Sequence, residues 1–388
     1  MNAPAEIIRR EIAERGVLSF ARFMELALYC PNSGYYEAKN DSPGRRGDFF
    51  TSVSVGELFG QLLAFQFADW LDELSTRNPQ PLGPARRSED GSTLNIVEAG
   101  AHDGTLAGDI LAWLRSNRPG LCGQIQYVIL EPSPRRQQWQ KETLQDFNNV
   151  RWLSRFNDST NHPDNGCRGS RFNGVIFSNE LLDAMPVRRF GWDARSKRWF
   201  EWGVALEGEK FVWAKIPAPH SALRTPQWEL PSSLLDVLPD GYTIETCPAA
   251  GHWWREAACA LGNGKLVTID YGLTNDEWFS PCRARGTLRA YFRHHATEDL
   301  LANVGEQDLT AHVNFSAIQT AGESAGLTTE SFLTQAQFMA RIAEKIFQNP
   351  ESFGGWGAKQ NRQFQTLTHP EHLGGAFRVL VQSKQGAP

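Results

Sequence analysis

The six cysteines of this 388-residue chain (Cys30, Cys122, Cys167, Cys247, Cys259 and Cys282) contain no Cys-x-x-Cys pair. That spacing speaks against a zinc knuckle or a small disulfide framework, and suggests reduced thiols in a reducing compartment. No apolar run approaches the roughly 18 residues of a membrane helix, and Met1 to Glu6 has neither the basic nor the apolar region of a signal peptide. A cytoplasmic location is therefore expected. Positive charge is not in excess either: a net charge of -5 and a pI near 6.0 supply no field for gathering phosphates, so nucleic acid is not expected as a main partner. The pairs Arg135-Arg136 and Arg188-Arg189 read as solvated faces. The adjacent side chains of His294-His295 diverge in direction, and His369-x-x-His372 lacks a nearby Cys or carboxylate set that would complete a site, so no metal is expected. There is no internal repeat.

Hydrophobic residues make up 41% of the chain and charged ones 21%, enough for a sizeable core in one elaborated domain or two modest ones. Helical spacing of apolar residues predicts helices over Glu6 to Arg15, over Phe20 to Tyr29 behind Ser19, and over Gly56 to Leu74. These form an N-terminal helical region, 1–75. Residues 76–93, rich in Pro, Gly, Ser and Asn, read as an exposed linker to a core over 94–388. The core opens with a buried strand from Leu94 to Glu98, a tight turn from Gly100 to Gly104 and a helix from Thr105 to Leu114. A second such unit has a strand from Tyr127 to Leu130, a helix from Pro134 to Gln145 and a short strand from Val150 to Leu153. Further strands are predicted at Gly174 to Phe177, Gly264 to Gly272 and Phe377 to Gln382, with helices at Ala249 to Leu261, Phe315 to Ala325 and Gln335 to Phe347. This alternation predicts an α/β fold with a mostly parallel sheet. From about 187 to 217, apolar and polar residues alternate around Trp192, Trp199, Phe200, Trp202 and Trp213, which predicts an inserted antiparallel meander whose aromatics pack rather than react.

Three places carry candidate chemistry. The turn from Glu98 to Gly104 lets backbone approach a ligand and aims a helix N-terminus at it. Glu131 ends the next strand, where a carboxylate can accept from both ribose hydroxyls of an adenosine, or can simply cap a helix. Together they predict a nucleoside-containing cofactor. Dinucleotides favour Gly-x-Gly-x-x-Gly, and here only Gly100 and Gly104 are present, so a cofactor without phosphate, S-adenosylmethionine, suits the turn better. Glu98 could then place its ammonium group, or be a buried, hydrogen-bonded strand carboxylate. Asn179, Glu180 and Asp183 follow the fourth strand, Glu180 and Asp183 sharing one side if the segment is helical. Paired acids suit a guanidinium, whose fork must be oriented and whose charge must be kept off the attacking nitrogen. The equal alternative is that Asn179 and Asp183 only cap and tie down the loop.

In this order these residues resemble the MidA-like family of S-adenosylmethionine-dependent methyltransferases, which act in assembly of mitochondrial respiratory complex I and have many bacterial members. The resemblance runs through Ser19 to Met24, Tyr29 to Tyr36, Gly47 to Ser52 with Phe59-Gly60, Glu98 to Gly104, and Asn179-Glu180-x-x-Asp183-Ala184-x-Pro186. It continues at Asp270 to Gly272, Gly286 to Tyr291 and Asp308 to Phe315. It implies a Rossmann-like class I methyltransferase sheet of seven strands, an N-terminal helical cap over the cofactor, and methylation of a protein arginine. It also implies that Gly47, Asp48 and Thr51 belong to the cofactor site. The family's loop usually has glycine where this chain has His102, which would crowd or contact the cofactor. The resulting expectation is methyl transfer with Glu180 and Asp183 as catalytic residues and Gly47, Asp48, Thr51, Glu98, Gly100, His102, Gly104, Glu131 and Asn179 around the cofactor. The substrate would be a protein, with a respiratory-complex subunit as candidate and a homodimer allowed. The alternatives are a non-catalytic assembly factor and a nicotinamide-dependent oxidoreductase.

Overall fold

The computed structural model describes residues 3–37, 51–77, 94–156, 172–217, 235–280, 283–293 and 295–385. Gly47 and Asp48, most of the expected linker, Cys167, Cys282 and His294 lie outside the described residues. The chain forms two compact units, each from three stretches: 42–181, 253–271 and 319–388 make a sheet unit, and 1–41, 182–252 and 272–318 a meander unit.

Seven strands build the sheet unit: β1 (Leu94–Ala99), β2 (Ile125–Leu130), β3 (Val150–Leu153), β4 (Phe172–Asn179), β5 (Leu261–Leu273), β6 (Thr328–Thr334) and β7 (Phe377–Lys384). They lie in the order β6-β7-β5-β4-β1-β2-β3. The strands from β5 to β3 run parallel, and β7 is antiparallel to both β5 and β6. Strands β1 and β4 are buried along nearly their whole length, which is why their sequences are apolar runs rather than alternations. Chain order reverses between β1 and β4, whose ends lie side by side with Ala99 opposite Ser178. The carboxyl ends of such a pair open the crevice where α/β sheets bind ligands.

Helix α1 (Leu58–Arg77) contributes Phe59, Leu62, Leu63, Phe67 and Leu71 to the core, and α2 (Thr105–Asn117) contributes Ile110, Leu111 and Leu114. Phe67 is fully buried with its ring 5.0 Å from that of Phe177, and burial of such a side chain stabilises by about 2–3 kcal/mol. The two helices approach closely at Gly60, where a Cβ would lie 2.5 Å from Cβ of Asp109. Helix α3 (Pro134–Thr143) follows β2, α4 (Pro248–Ala260) precedes β5, α5 (Phe315–Ser324) precedes β6, and α6 (Gln335–Gln348) and α7 (Ala358–Thr368) lie between β6 and β7. A buried glutamine ties part of this unit together: Gln382 donates to the Gln319 carbonyl at 3.0 Å and to Thr329 Oγ1 at 2.8 Å, and accepts from Trp254 Nε1 at 2.7 Å. None of the described helices is long and apolar enough to cross a membrane.

In the meander unit, Arg188–Asp193, Arg198–Glu207 and Lys210–Pro217 form antiparallel strands. Leu18–Ser19 and Thr243–Thr246 extend this sheet to five strands. Helices Ala3–Arg15 and Phe20–Tyr29 share its core through Ile8, Ile12, Phe20 and Phe23, and the aromatics pack, as in Phe20 on Trp213 at 5.0 Å. Gly272 and Leu273 pair with Val313 and Asn314, an eighth short strand on β5. The solvated reading of the arginine pairs needs correction: Arg136 is ion-paired with buried Glu131 at 2.9 Å, and Arg189 with buried Glu245 at 3.3 Å, because each meets an enclosed carboxylate.

Candidate active site

The turn after β1 is left-handed at alternate residues, with φ +78° at Gly100, +45° at His102 and +87° at Gly104. Glycine adopts this region freely, whereas a Cβ there is strained, though His tolerates it better than most residues. The turn closes through the Gly104 amide on the Ala101 carbonyl at 2.7 Å, and Asp103 Oδ1 accepts from the Thr105 amide, the first of α2, at 3.0 Å. The His102 ring is partly exposed, with Nδ1 3.8 Å from Asp103 Oδ1, an ion-pair distance rather than a hydrogen bond. A Cβ on Gly100 would lie 3.1 Å from Leu181.

Glu98, near the end of β1, is 2% exposed. Burial pushes its carboxyl up to about 7, against the hydroxyl of Tyr127, which donates to Oε2 at 2.6 Å, and with a smaller push from the charge of Asp103. Glu131 is equally enclosed. Its Oε1 accepts from the Ser133 amide at 2.8 Å and faces Arg136 at 2.9 Å, while Oε2 accepts from Gln140 at 3.3 Å.

At the end of β4, Asn179 is buried and its Nδ2 donates to Glu180 Oε1 at 3.0 Å, leaving Oδ1 with no hydrogen-bond partner among the described residues. Glu180 has φ +50°, and its amide donates to the Ile269 carbonyl at 3.0 Å, which fixes the turn. The segment from Glu180 to Met185 is a series of bends and turns, so Glu180 and Asp183 do not share a helix face. Asp183 belongs to the meander unit, where its carbonyl accepts from the Ala311 amide at 2.9 Å. Thr51, in the sheet unit, stands before the short turn Val53–Val55, where its Oγ1 accepts from the Ser54 amide at 3.1 Å.

Glu98, Gly100, His102, Gly104, Glu131, Asn179 and Glu180 thus all stand at the carboxyl ends of β1, β2 and β4. Two residues of this crevice escaped the sequence reading. Tyr127 needed the register, which pairs Glu98 with Ile129 and so puts Tyr127 diagonally across on the same face. Gln140 carried one signal: it precedes buried Leu144 by a helical turn, on a face where an apolar residue is the norm.

Residues 62–333 match a family model described as "Putative S-adenosyl-L-methionine-dependent methyltransferase". Over 402 aligned residues the chain is 26% identical to protein arginine methyltransferase NDUFAF7, mitochondrial, of Danio rerio, covering 95% of this chain and 84% of that protein. It is 24% identical to the Drosophila melanogaster homolog over 97% of this chain and 84% of the other. Among solved structures it is similar to a COG1565 superfamily member from Burkholderia thailandensis bound to S-adenosyl-homocysteine, at 31% identity and a TM-score of 0.76, over 98% of this chain and 92% of that one.

Proposed function

The chain belongs to this family of S-adenosyl-L-methionine-dependent methyltransferases, and we propose that it methylates an arginine side chain of a protein. Its cofactor is S-adenosyl-L-methionine, and the arginine reading is carried by alignment along nearly the whole chain with relatives named protein arginine methyltransferases. The residues present fit that cofactor. Asn179 Oδ1 is a buried acceptor awaiting a donor, and Glu98 is a buried carboxyl whose ionisation a nearby ammonium favours. Glu131 takes the ribose hydroxyls, and Gly100 and Gly104 allow the backbone beside them to approach closely. His102 borders this site, and we assign Gly47, Asp48 and Thr51 to it on the family pattern.

When bound, the cofactor supplies a methyl group on a positively charged sulfur. A guanidinium attacks only after its planar fork is oriented and its charge is drawn to the far nitrogens, since its pKa is above about 12. Glu180 and Asp183 take that part. Bound there, the cofactor would supply an electrophilic methyl carbon to the guanidinium nitrogen, and Glu180 and Asp183 would take the proton that nitrogen gives up and pass it to solvent. Orientation supplies most of the acceleration. The Asn179–Glu180 hydrogen bond joins the cofactor residue to the substrate residue. Following the family resemblance, the candidate substrate is a respiratory-complex subunit. The proposal extends to action in the cytoplasm and to a homodimer.

The test is methyl transfer from tritium-labelled cofactor to protein, with label recovered as methylarginine after acid hydrolysis. Glu180→Gln should lose turnover by about 100-fold or more and keep cofactor affinity. Label on another residue type refutes the arginine assignment. Cofactor binding without transfer favours the assembly-factor reading.

A further inference from the structure

We infer that Gln140 is a positioning residue that locks the turn after β1 and the carboxylate of Glu131 into one arrangement before the cofactor arrives, an inference that rests on the cofactor site assigned above. Helix α3 is polar over most of its length, and its buried residue is this glutamine, with no solvent exposure at all. Packing alone would be met by an apolar side chain, as at Leu144 one turn on. An enclosed amide must instead find partners for two N–H donors and a carbonyl oxygen.

Those partners come from the ends of three adjacent strands. Nε2 donates to the His102 carbonyl at 3.0 Å and to Glu131 Oε2 at 3.3 Å, and Oε1 accepts from Trp152 Nε1, on β3, at 3.0 Å. Their chemistry fixes which way the amide points. A carbonyl and a carboxylate only accept and an indole N–H only donates, so a flipped amide would set oxygen against oxygen twice and N–H against N–H once. The turn also rests directly on the helix here: a Cβ on Gly104 would lie 3.4 Å from Cα of Gln140.

Each bond acts on a part of the site that would otherwise relax. The His102 residue is left-handed without being glycine, and the hydrogen bond to its carbonyl helps hold that conformation. Glu131 is gripped on Oε1 by the Ser133 amide and Arg136 and on Oε2 by Gln140, so its plane is set before the ribose hydroxyls meet it. Preorganisation of this kind appears as affinity, because the bound ligand need not order the groups that hold it.

The experiment is calorimetric titration of the full chain and its variants with S-adenosylhomocysteine, alongside thermal unfolding. Gln140→Met, close in volume but without donors, should raise Kd by about tenfold or more. Trp152→Phe removes the hydrogen bond on the far side of the same amide; it should lower Tm as well but leave Kd within about twofold. In turnover, Gln140→Met should raise KM for the cofactor while kcat at saturation stays within about threefold. If both variants leave Kd unchanged, or both raise it equally, Gln140 is a packing residue and the inference is overturned. Should Gln140→Met fail to fold, Gln140→Glu, which keeps the shape and the acceptor for Trp152, carries the same expectations. Glu131→Gln separates the two levels: if it leaves Kd unchanged, the cofactor assignment itself falls; if it raises Kd while the Gln140 variants do not, only the positioning role does.

Discussion

In the Glu98→Gln variant a buried carboxyl becomes a neutral amide of nearly the same shape, and the Tyr127 hydroxyl still finds an oxygen to donate to. The carboxyl of Glu98 ordinarily titrates at 4.5, and burial in the fold raises it to about 7. Below pH 4.5 the proton is bound in both folded and unfolded chains, and stability is unaffected. Between 4.5 and about 7 the unfolded chain ionises while the folded one holds its proton, so stability falls as pH rises through that window. At about 1.4 kcal/mol for each unit of pKa, the full loss above neutrality is about 3 kcal/mol. A buried amide N–H with no partner takes back about 1 kcal/mol, so the variant should exceed the wild type by about 2 kcal/mol at about pH 8. Urea unfolding across the pH range measures this, and the variant should decline less than the wild type by about 3 kcal/mol, both keeping the decline due to Asp109, whose carboxyl burial raises to about 6. The same proton must leave when an ammonium group binds beside Glu98. Titration with S-adenosylhomocysteine at about pH 6.5, in two buffers of different ionisation enthalpy, should show release of up to about one proton by the wild type and less by the variant. Affinity should be weaker in the variant. A variant less stable than wild type at high pH, or equal proton release from both proteins, refutes the reasoning.

Removing the strained Cβ in His102→Gly gains about 1–2 kcal/mol, and greater freedom of the unfolded chain takes back up to about 1 kcal/mol. Tm should therefore hold or rise, whereas β-branched His102→Val should lower it. Gly60→Ala places a Cβ 2.5 Å from that of Asp109 and must push α1 and α2 apart, at about 2 kcal/mol in urea unfolding. Gln382→Leu leaves the Trp254 N–H and the Gln319 carbonyl without their partner, costing about 2–3 kcal/mol, but unlike the Gln140 variants it should keep the Kd for S-adenosylhomocysteine within about twofold.

Strong periodicity made much of the fold readable. Helix Phe20–Tyr29 and strand Val150–Leu153 have the bounds read from sequence, and β1 differs from its reading by one residue. Strand β6 was missed because Thr328–Thr334 mixes exposed and half-buried residues without a clean alternation. Helix Ala358–Thr368 was missed because Leu367 is its buried residue and, apart from Ala358 and half-buried Phe364, the rest is polar. The residues expected in the site could be singled out because a turn and a strand-terminal acid are local signals. The partners of those acids were not: Tyr127 meets Glu98 through strand register, and Gln140 meets Glu131 through a helix that packs by a polar group. The same gap misled the reading of Arg136, Arg188 and Arg189, since a pair of arginines in sequence does not reveal that enclosed carboxylates, Glu131, Glu201 and Glu245, wait for them.

Strand β7 lies between β5 and β6, yet a ribosome makes it after both. When Thr328–Thr334 emerges, the strand it will pair with does not yet exist, and β5 likewise presents a bare flank. Completion of that side is therefore an insertion between two waiting edges, a long-range step of the kind that delays folding and leaves strand edges open to wrong partners. The other side has no such wait. Strands β1 to β4 pair among themselves by Asn179, so the part of the sheet bearing Glu98 and Glu131 can assemble while the remainder is still being translated.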